Sequence, residues 1–344
     1  MAEQQDIILR VENLQKHFQP HQSFTQALAG QKKQRLIRAV DGISFSIARG
    51  EIFSLIGESG SGKTTTGKLI MKLLDPTGGS IWFNGQDVTH LGKEETRTYR
   101  TKVQMIFQDP YASMNPRFKI KDVLEEPLLI HKIKASLEKR QEMIIKALEE
   151  VKLNPPEEFM TRWPHMLSGG QRQRVATART LILNPSLLVA DEPVSMIDLS
   201  TRAEILHMMK DVQRHLGLTY LYITHDLSTA RYFTDRIAVM YLGKIVEMGK
   251  AGDIIDNPIH PYTKALIEAV PEPEPGKVHL IKELPISGEI PSPANIPSGC
   301  RFHTRCPYAT KECSELAEPE LQDAGNGHFH ACRRWKELGE SPKN

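Results

Sequence analysis

The stretch GESGSGKT, from Gly57 to Thr64, combines residue types and a spacing that are suited to binding phosphate. It matches the pattern G-x-x-x-x-G-K-[ST], whose glycines let backbone amides turn towards phosphate oxygens. Lys63 would add a positive charge at the outer phosphates of a nucleotide, and Thr64 a hydroxyl ligand for Mg²⁺. An apolar strand before the loop and a helical pattern after it favour this function over a chance Gly/Ser-rich turn. The predicted nucleotide contacts are Gly57, Glu58, Ser59, Gly60, Ser61, Gly62, Lys63, Thr64 and Thr65.

A second candidate motif is the apolar stretch LLVADE, which ends in two acidic residues, Asp191 and Glu192. A carboxylate at the carboxyl end of a strand beside a phosphate loop suits a second Mg²⁺ ligand, which we assign to Asp191. Glu192 would then hold a water in line with the γ-phosphate and act as general base. The alternative is an exposed acidic loop end, which the immediately following Pro193 disfavours because it fixes the turn.

A third element, LSGGQ, lies between the other two and opens the helical stretch QRQRVATARTLIL. Two glycines and a serine at a helix N-terminus again suit phosphate binding. The residues of this element are Leu167, Ser168, Gly169, Gly170 and Gln171.

The composition is that of an ordinary folded protein, with 344 residues, 40% hydrophobic and 25% charged. A net charge of +2 gives no overall field that would draw the chain onto nucleic acid or acidic lipid. The N-terminal residues lack the basic and apolar regions of a signal peptide, and no apolar run reaches the length of a bilayer. We therefore expect a cytosolic protein that relies on other chains if it works at a membrane.

The elements that must position these residues are short apolar strands separated by helical segments, which predict an α/β fold around a parallel sheet. Residues 109–183 are mostly helical by pattern, AVDGISFSI predicts two short strands around a turn, and Gly243 marks a hairpin. Proline density rises at 269–278. We therefore predict a nucleotide-binding domain at 1–270 and a linker with a small C-terminal region at 271–344, structurally separate from each other.

The three motifs, in this order, resemble those of the ATP-binding-cassette (ABC) ATPases. That resemblance implies a cassette with a parallel-sheet phosphate-loop core, an antiparallel β subdomain and a helical subdomain. It also implies MgATP hydrolysis at a head-to-tail dimer interface, where each LSGGQ caps the ATP held by the other cassette. The match covers residues 7 to about 250.

The same resemblance assigns further site residues. Gln108 matches the Q-loop, which senses the nucleotide and Mg²⁺ and contacts the transmembrane partner, and His225 matches the switch histidine at the γ-phosphate. Phe18 stands where the family stacks an aromatic ring on adenine, with a place in the core as the alternative. Ser195 and Asp198 of SMID stand at the dimer interface, where Met196 and Ile197 depart from the family's usual Ala and Leu. This departure predicts altered communication between the two ATP sites.

The segment NPIHPYTKALIEAVPEPEPG resembles the one that follows the cassette in ATPase subunits of oligopeptide, dipeptide and nickel importers. QDPYASMNPR and IPSGCRFHTRCPYA extend that resemblance. It implies a paralogous second ATPase subunit, two transmembrane permease subunits and an extracytoplasmic solute-binding protein. The chain would then lie on the cytoplasmic face of the membrane and power import of peptides or a nickel chelate.

Two other classes of ABC protein remain as alternatives. A DNA-repair or translation cassette usually carries two cassettes or a long coiled coil, and an exporter often carries its own membrane spans. The basic stretch from Lys32 to Arg38 is the sole hint of nucleic acid, and a solvated loop explains it. We therefore expect no nucleic-acid partner.

All four cysteines, Cys300, Cys306, Cys313 and Cys332, lie in the last 45 residues with the spacing C-x₅-C-x₆-C-x₁₈-C. In a reducing compartment such a group indicates metal ligands before disulfides. This cysteine spacing matches neither that of zinc knuckles nor that of ferredoxins, so it does not identify the metal. The resemblance implies a 4Fe–4S cluster, because related peptide-importer ATPases carry one in this region. Zn²⁺, reduced thiols and disulfides remain alternatives. The nearby His303, His328 and His330 could ligate instead, but four thiolates already satisfy a cluster, so these histidines are interpreted as lying around the ligands or on the ordinary surface.

Overall fold

A computed structural model describes residues 6–19, 36–110, 113–269, 286 and 288–339. Its strands are β1 (Ile7–Phe18), β2 (Ile37–Ala48), β3 (Ile52–Ile56), β4 (Gly78–Phe83), β5 (Gln86–Asp87), β6 (Val103–Ile106), β7 (Leu187–Asp191), β8 (Thr219–Thr224), β9 (Arg236–Tyr241), β10 (Lys244–Lys250), β11 (Gln322–Asp323) and β12 (Phe329–His330). Its α-helices are α1 (Lys63–Ile70), α2 (Lys93–Lys102), α3 (Ile120–Ile130), α4 (Leu137–Glu150), α5 (Pro156–Thr161), α6 (Gly169–Leu181), α7 (Leu199–Leu216), α8 (Leu227–Phe233), α9 (Ala251–Asp256), α10 (Pro261–Glu268), α11 (Lys311–Glu315) and α12 (Trp335–Gly339). A short 3₁₀-helix spans Pro164–Met166.

The larger sheet has the strand order β11-β12-β10-β9-β3-β8-β7-β6. The five strands from β9 to β6 run parallel, as the apolar segments predicted. Every residue of β3, β7 and β8 is buried. Side chains alternate between the two faces of a strand, so these strands need apolar residues at successive positions.

Each face of the parallel strands packs against a different layer. Tyr220 and Tyr222 of β8 join the core of the helical layer, which includes residues of α3, α4, α6 and α7. Leu221 and Ile223 of the same strand face the opposite layer, which includes α1 and the antiparallel sheet. The helical pattern predicted for 109–183 is therefore present as a layer on one face of the sheet.

The smaller sheet has the strand order β2-β1-β4-β5 and is antiparallel. The prediction of two short strands in AVDGISFSI is wrong, because β2 continues through the whole stretch. Gly42 has φ +82° and lies at a register shift, where Ile43 pairs with Leu14 but Asp41 with Gln15. Its left-handed conformation makes a bulge in one strand instead of a turn between two.

The C-terminal region packs against the rest of the chain, so the prediction of two separate units is wrong. Strand β12 pairs with β10 and extends the larger sheet, and the amide of Ala331 donates to the carbonyl of Val246 at 2.8 Å. Phe302 is 1% exposed and shares a core with Tyr241 and Tyr262. The boundary at 270 stays a prediction, since residues 270–285 lie outside the described residues. Most of the basic stretch from Lys32 to Arg38 also lies outside them.

The hairpin predicted at Gly243 is confirmed, with β9 and β10 pairing antiparallel around it. Within the described ranges, no helix combines the length and the apolar character that a membrane span requires.

Candidate nucleotide-binding site

The predicted site residues follow four strands that lie side by side, β3, β8, β7 and β6. The phosphate loop follows β3, His225 follows β8, Asp191 ends β7 with Glu192 directly after it, and Gln108 follows β6. Carboxyl ends of neighbouring parallel strands meet at one edge of a sheet, which is where α/β folds bind ligands. The fold therefore brings residues from four distant parts of the chain to one edge.

The phosphate loop connects β3 to the N-terminus of α1, as its motif predicted. Lys63 is buried, and its ammonium donates to the carbonyl oxygens of Gly57 and Glu58 at 2.7 and 2.9 Å. Burial lowers the pKa of Lys63, and the carboxylates of Glu192, Asp191 and Glu58 oppose that shift. The ammonium is thus held inside the loop that it would share with phosphate oxygens.

Gly62 ends the phosphate loop in a conformation that requires glycine. Its φ is +110°, and an added Cβ would lie 2.3 Å from the carbonyl oxygen of Ala39. Ser59 and Gly60 are exposed at the middle of the loop, while Gly57 and Ser61 are buried. The exposed middle leaves room for a ligand against the loop.

Thr64 and Asp191 form the second part of the site. The Thr64 hydroxyl donates to Asp191 Oδ1 at 3.0 Å, and Asp191 is 4% exposed. Burial raises the pKa of Asp191, the Thr64 hydrogen bond opposes the shift, and the Glu192 carboxylate adds to it. A buried carboxylate next to a hydroxyl offers hard oxygen ligands, so these two residues fit Mg²⁺.

Glu192 is held on both sides by the two residues that the resemblance assigned to the nucleotide. Gln108 Nε2 donates to Glu192 Oε2 at 2.9 Å, and His225 Nδ1 lies 3.0 Å from Glu192 Oε1. Glu192 adopts φ +46°, a left-handed conformation that is uncommon outside glycine. Its amide donates to the carbonyl of Ile223 at 2.9 Å, and Ser195 Oγ donates to its carbonyl at 3.0 Å. Sequence predicted the role of Glu192 but not this unusual backbone.

The LSGGQ element begins α6, as predicted. Ser168 caps the helix, with the amide of Gln171 donating to Ser168 Oγ at 3.2 Å and Gln171 Oε1 accepting from the Ser168 amide at 3.1 Å. Gly170 must lack a side chain, since a Cβ there would lie 2.5 Å from Thr201 Cγ2. Leu167 is buried, whereas Ser168 is exposed and Gly169 faces open space. The helix N-terminus is therefore open to an incoming group.

Asp198 caps α7 and lies next to exposed apolar side chains. Its carboxylate accepts from Ser200 Oγ at 2.7 Å and from the Thr201 amide at 3.0 Å, and these bonds lower its pKa to about 2. Met196 and Leu199 beside it are 62% and 80% exposed. The segment from Ser195 to Leu199 thus presents an apolar surface to solvent.

Phe18 ends β1 and is partly exposed, with the Lys16 ammonium 5.3 Å from the centre of its ring. It does not belong to the buried core of the described residues. A partly exposed ring at the end of β1 can stack on a planar ligand.

Sequence reasoning missed two residues that contact the phosphate loop. Tyr262 OH accepts from the Glu58 amide at 2.9 Å, and Arg305 donates to the Glu58 carboxylate through two nitrogens at 2.7 and 3.1 Å. Tyr262 follows the helix-opening HP of NPIHPYTKAL, and Arg305 stands between two cysteines. The signal in the sequence was Glu58, an acidic residue inside a phosphate loop, which would need a basic side chain to neutralise it.

The four cysteines line one cavity together with His260, Phe302 and His303. All four are free of disulfides. Burial raises the pKa of the Cys300, Cys306 and Cys332 thiols to about 11. Over the described part of the chain, no three His, Cys, Asp or Glu side chains are grouped closely enough to hold one metal ion. His328 and His330 are buried and are not ordinary surface residues. His328 Nε2 lies 2.7 Å from Glu247 Oε1, and His330 Nδ1 accepts from the Cys332 amide at 3.2 Å.

Comparison with known proteins places the chain in a family. The ABC transporter model matches residues 40–195, and the model of the oligopeptide/dipeptide transporter C-terminal region matches residues 246–313. The oligopeptide transport ATP-binding protein AppF of Bacillus subtilis is 43% identical over 332 residues, which cover 96% of this chain and 98% of AppF. The dipeptide transport ATP-binding protein DppF of Haemophilus influenzae is 45% identical over 301 residues, which cover 87% and 90% of the two chains.

Solved structures resemble the cassette part of the chain. A dimeric ATP-binding cassette in a post-hydrolysis state with ADP and Pi has a TM-score of 0.61 and 29% identity, covering 71% of this chain and 99% of that chain. The chain therefore belongs to the ABC transporter family, as an ATP-hydrolysing subunit whose C-terminal region is of the oligopeptide/dipeptide transporter type.

Proposed function

We propose that this chain hydrolyses ATP to power the import of peptides through an ABC transporter. The match to the oligopeptide/dipeptide C-terminal region, in a chain aligned over nearly its full length with peptide-transport subunits, carries the substrate class. The contacts of Glu192 with Gln108 and His225 support the chemistry. A nickel chelate is the related solute that the same type of subunit would serve.

Hydrolysis needs a base that accepts a proton from water as a new oxygen bond forms to the γ-phosphorus. Glu192 is the carboxylate proposed for this step, and the bond from the γ-phosphorus to ADP breaks as the proton is taken up. Gln108 and His225 hold its two oxygens in place, which reduces the reorientation required. His225 is more than half exposed on its side chain, so it can exchange the carboxylate for a phosphate oxygen.

The other residues of the edge bind and orient the nucleotide. Lys63 and the amides from Gly57 to Thr65 are proposed to hold the phosphates, and Phe18 to stack on adenine. Thr64 and Asp191 would hold Mg²⁺, with Gln108 as a further ligand. Bound Mg²⁺ supplies neutralisation of charge on the phosphate oxygens.

A head-to-tail dimer with a paralogous second ATPase subunit would complete each site. The exposed Ser168 and the open space at Gly169 support this proposal, because the N-terminus of α6 is free to cap a partner's ATP. Met196 and Leu199 supply apolar surface beside Asp198 that a partner would cover.

Ser168→Ala is expected to reduce ATP hydrolysis at the partner's phosphate loop roughly tenfold, since a polar contact to the transition state is lost. Turnover-dependent photolabelling of the assembled transporter with 8-azido-ATP and vanadate should decrease on the partner subunit and persist on this chain. Ser136→Ala is the matched control, because Ser136 caps α4 with the same 3.2 Å bond to an amide, away from the site. Loss of label from this chain instead of the partner would contradict the head-to-tail arrangement.

Two permease subunits and an extracytoplasmic solute-binding protein are the further partners. A groove lined by Gln104, Phe107, Ile130, His131 and Leu183 lies between β6 and the helical layer, directly before Gln108. Phe107 and Ile130 are 44% and 58% exposed there. This groove is the proposed permease contact, and the cytoplasmic face of the membrane is the proposed location of the chain.

Co-purification tests the assembly. A tagged chain extracted with its membrane should bring two integral membrane proteins with it, and deletion of the chain should abolish peptide uptake by intact cells. Recovery of the chain with DNA or ribosomes and without membrane proteins would favour the DNA-repair or translation class.

We further propose that the four-thiol cavity holds a 4Fe–4S cluster. Four thiolates are the usual ligands of such a cluster, and a cluster of several atoms needs thiols spread around a space. A single Zn²⁺ would instead need its four sulfurs about 2.3 Å from one point. The four thiols line one cavity, which supports a shared site in which all four could serve as ligands of a cluster.

Protein purified without oxygen is expected to be brown and to contain about four irons per chain. Replacing Cys306 by Ser should remove the metal and make the C-terminal region more sensitive to proteolysis, because the free energy of metal binding would no longer contribute to its folding. Elemental analysis beside the visible spectrum is the measurement. A colourless protein with one zinc would replace the cluster by a structural zinc site, and a metal-free protein would remove the proposal.

A further inference from the structure

An ion pair joins the cysteine-rich region to the phosphate loop. Arg305 is 7% exposed and directly precedes Cys306, and its guanidinium binds both carboxylate oxygens of Glu58, the second residue of the loop. A two-point pair of this kind fixes geometry as well as neutralising charge. The contact spans 247 positions of sequence.

Arg305 is held in place by an aromatic cluster. Its amide donates to the carbonyl of Phe302 at 3.0 Å, and its guanidinium carbon lies 5.9 Å from the ring centre of Tyr241. Phe302 packs against Tyr241 and Tyr262 with ring centres 5.3 and 5.4 Å apart. Tyr262 in turn accepts from the Glu58 amide. Both the backbone and the side chain of Glu58 are therefore fixed by one packed unit.

The charge of Glu58 matters for nucleotide binding. Its carbonyl accepts the Lys63 ammonium at 2.9 Å, and its carboxylate acts electrostatically on Lys63. A free carboxylate at this position would repel the phosphates of ATP and compete with them for Lys63. An arginine bound to it removes that penalty.

We infer that Arg305 is a positioning residue for ATP, which neutralises Glu58 and fixes the entry of the phosphate loop from the cysteine-rich region. ATP affinity then depends on how this region packs against the cassette. The inference rests on the nucleotide-binding assignment. It does not depend on a metal in the thiol cavity.

The test measures ATP affinity of the full-length chain by isothermal titration calorimetry. Arg305→Gln is expected to raise Kd about tenfold, equivalent to about 1.4 kcal/mol. Glu58→Gln should bind ATP more tightly than Arg305→Gln, because the repulsive charge is no longer present. The double variant should return to the Kd of Glu58→Gln, since no carboxylate remains for Arg305 to neutralise.

Arg231→Gln is the matched control, because Arg231 forms an ion pair with Asp256 at 2.8 Å on a half-exposed surface away from the loop. Its Kd should equal that of the wild type. A double variant as weak as Arg305→Gln would show that Arg305 only supports the fold, and an unchanged Kd in Arg305→Gln would also overturn the inference. Absence of ATP binding by the wild-type chain would instead contradict the nucleotide site itself.

Discussion

Glu192→Gln is expected to lower kcat of the assembled transporter about 10²- to 10⁴-fold while ATP binding is retained. The amide cannot accept the proton of the attacking water, and a general base contributes a factor of this size. Glutamine keeps the shape of the side chain and can still contact Gln108 and His225, so the site should keep its geometry. Single-turnover hydrolysis and equilibrium ATP binding separate the two effects.

Glu204→Gln is the matched control for that substitution. Glu204 lies 3.6 Å from Arg174 on an exposed part of α7, and the same chemical change there should leave kcat unaltered. A Glu192→Gln transporter with near-normal turnover would remove Glu192 from the role of base.

Lys63→Ala should act on binding, with ATP affinity reduced by a factor of about 10 to 100. The substitution removes a buried ammonium whose hydrogen bonds to charged oxygens are worth roughly 1.5–3 kcal/mol. It also leaves the carbonyls of Gly57 and Glu58 without the donor that they have in the free loop. Calorimetric titration with MgATP gives the change in Kd directly.

Lys152→Ala is the control for Lys63→Ala, because Lys152 pairs with Asp211 in an exposed position. It should bind ATP like the wild type. If Lys63→Ala bound ATP with unchanged affinity but turned over slowly, Lys63 would act only in the transition state.

The local structure around the predicted site residues depends on adjacent residues and agrees with the sequence pattern, with the phosphate loop after β3 and LSGGQ at the start of α6. The phosphate loop, the capping serine of LSGGQ and the acid at the end of β7 each depend on a few adjacent residues and on one strand or helix end. Their environment follows from the α/β order, because carboxyl ends of neighbouring parallel strands meet. The hydrogen bonds that join Glu192 to Gln108 and His225 follow from this arrangement as well.

What the sequence did not reveal depends on contacts between distant residues. The proline-rich stretch indicated two separate units, but β12 finds a partner in the exposed edge of β10 and so joins the larger sheet. An open strand edge is a ready site for pairing, whatever the length of the linker. The ion pair of Glu58 with Arg305 follows from that docking, and neither residue by itself predicts it.

The most direct test of the central proposal is peptide uptake by proteoliposomes that contain this chain, its partner ATPase subunit and the two permease subunits, with the solute-binding protein outside and MgATP inside. The proposal predicts ATP-dependent accumulation of a labelled oligopeptide, peptide-stimulated release of phosphate, and loss of both when this chain carries Glu192→Gln. Uptake that continues with Glu192→Gln, or phosphate release that neither peptide nor the solute-binding protein alters, would contradict it.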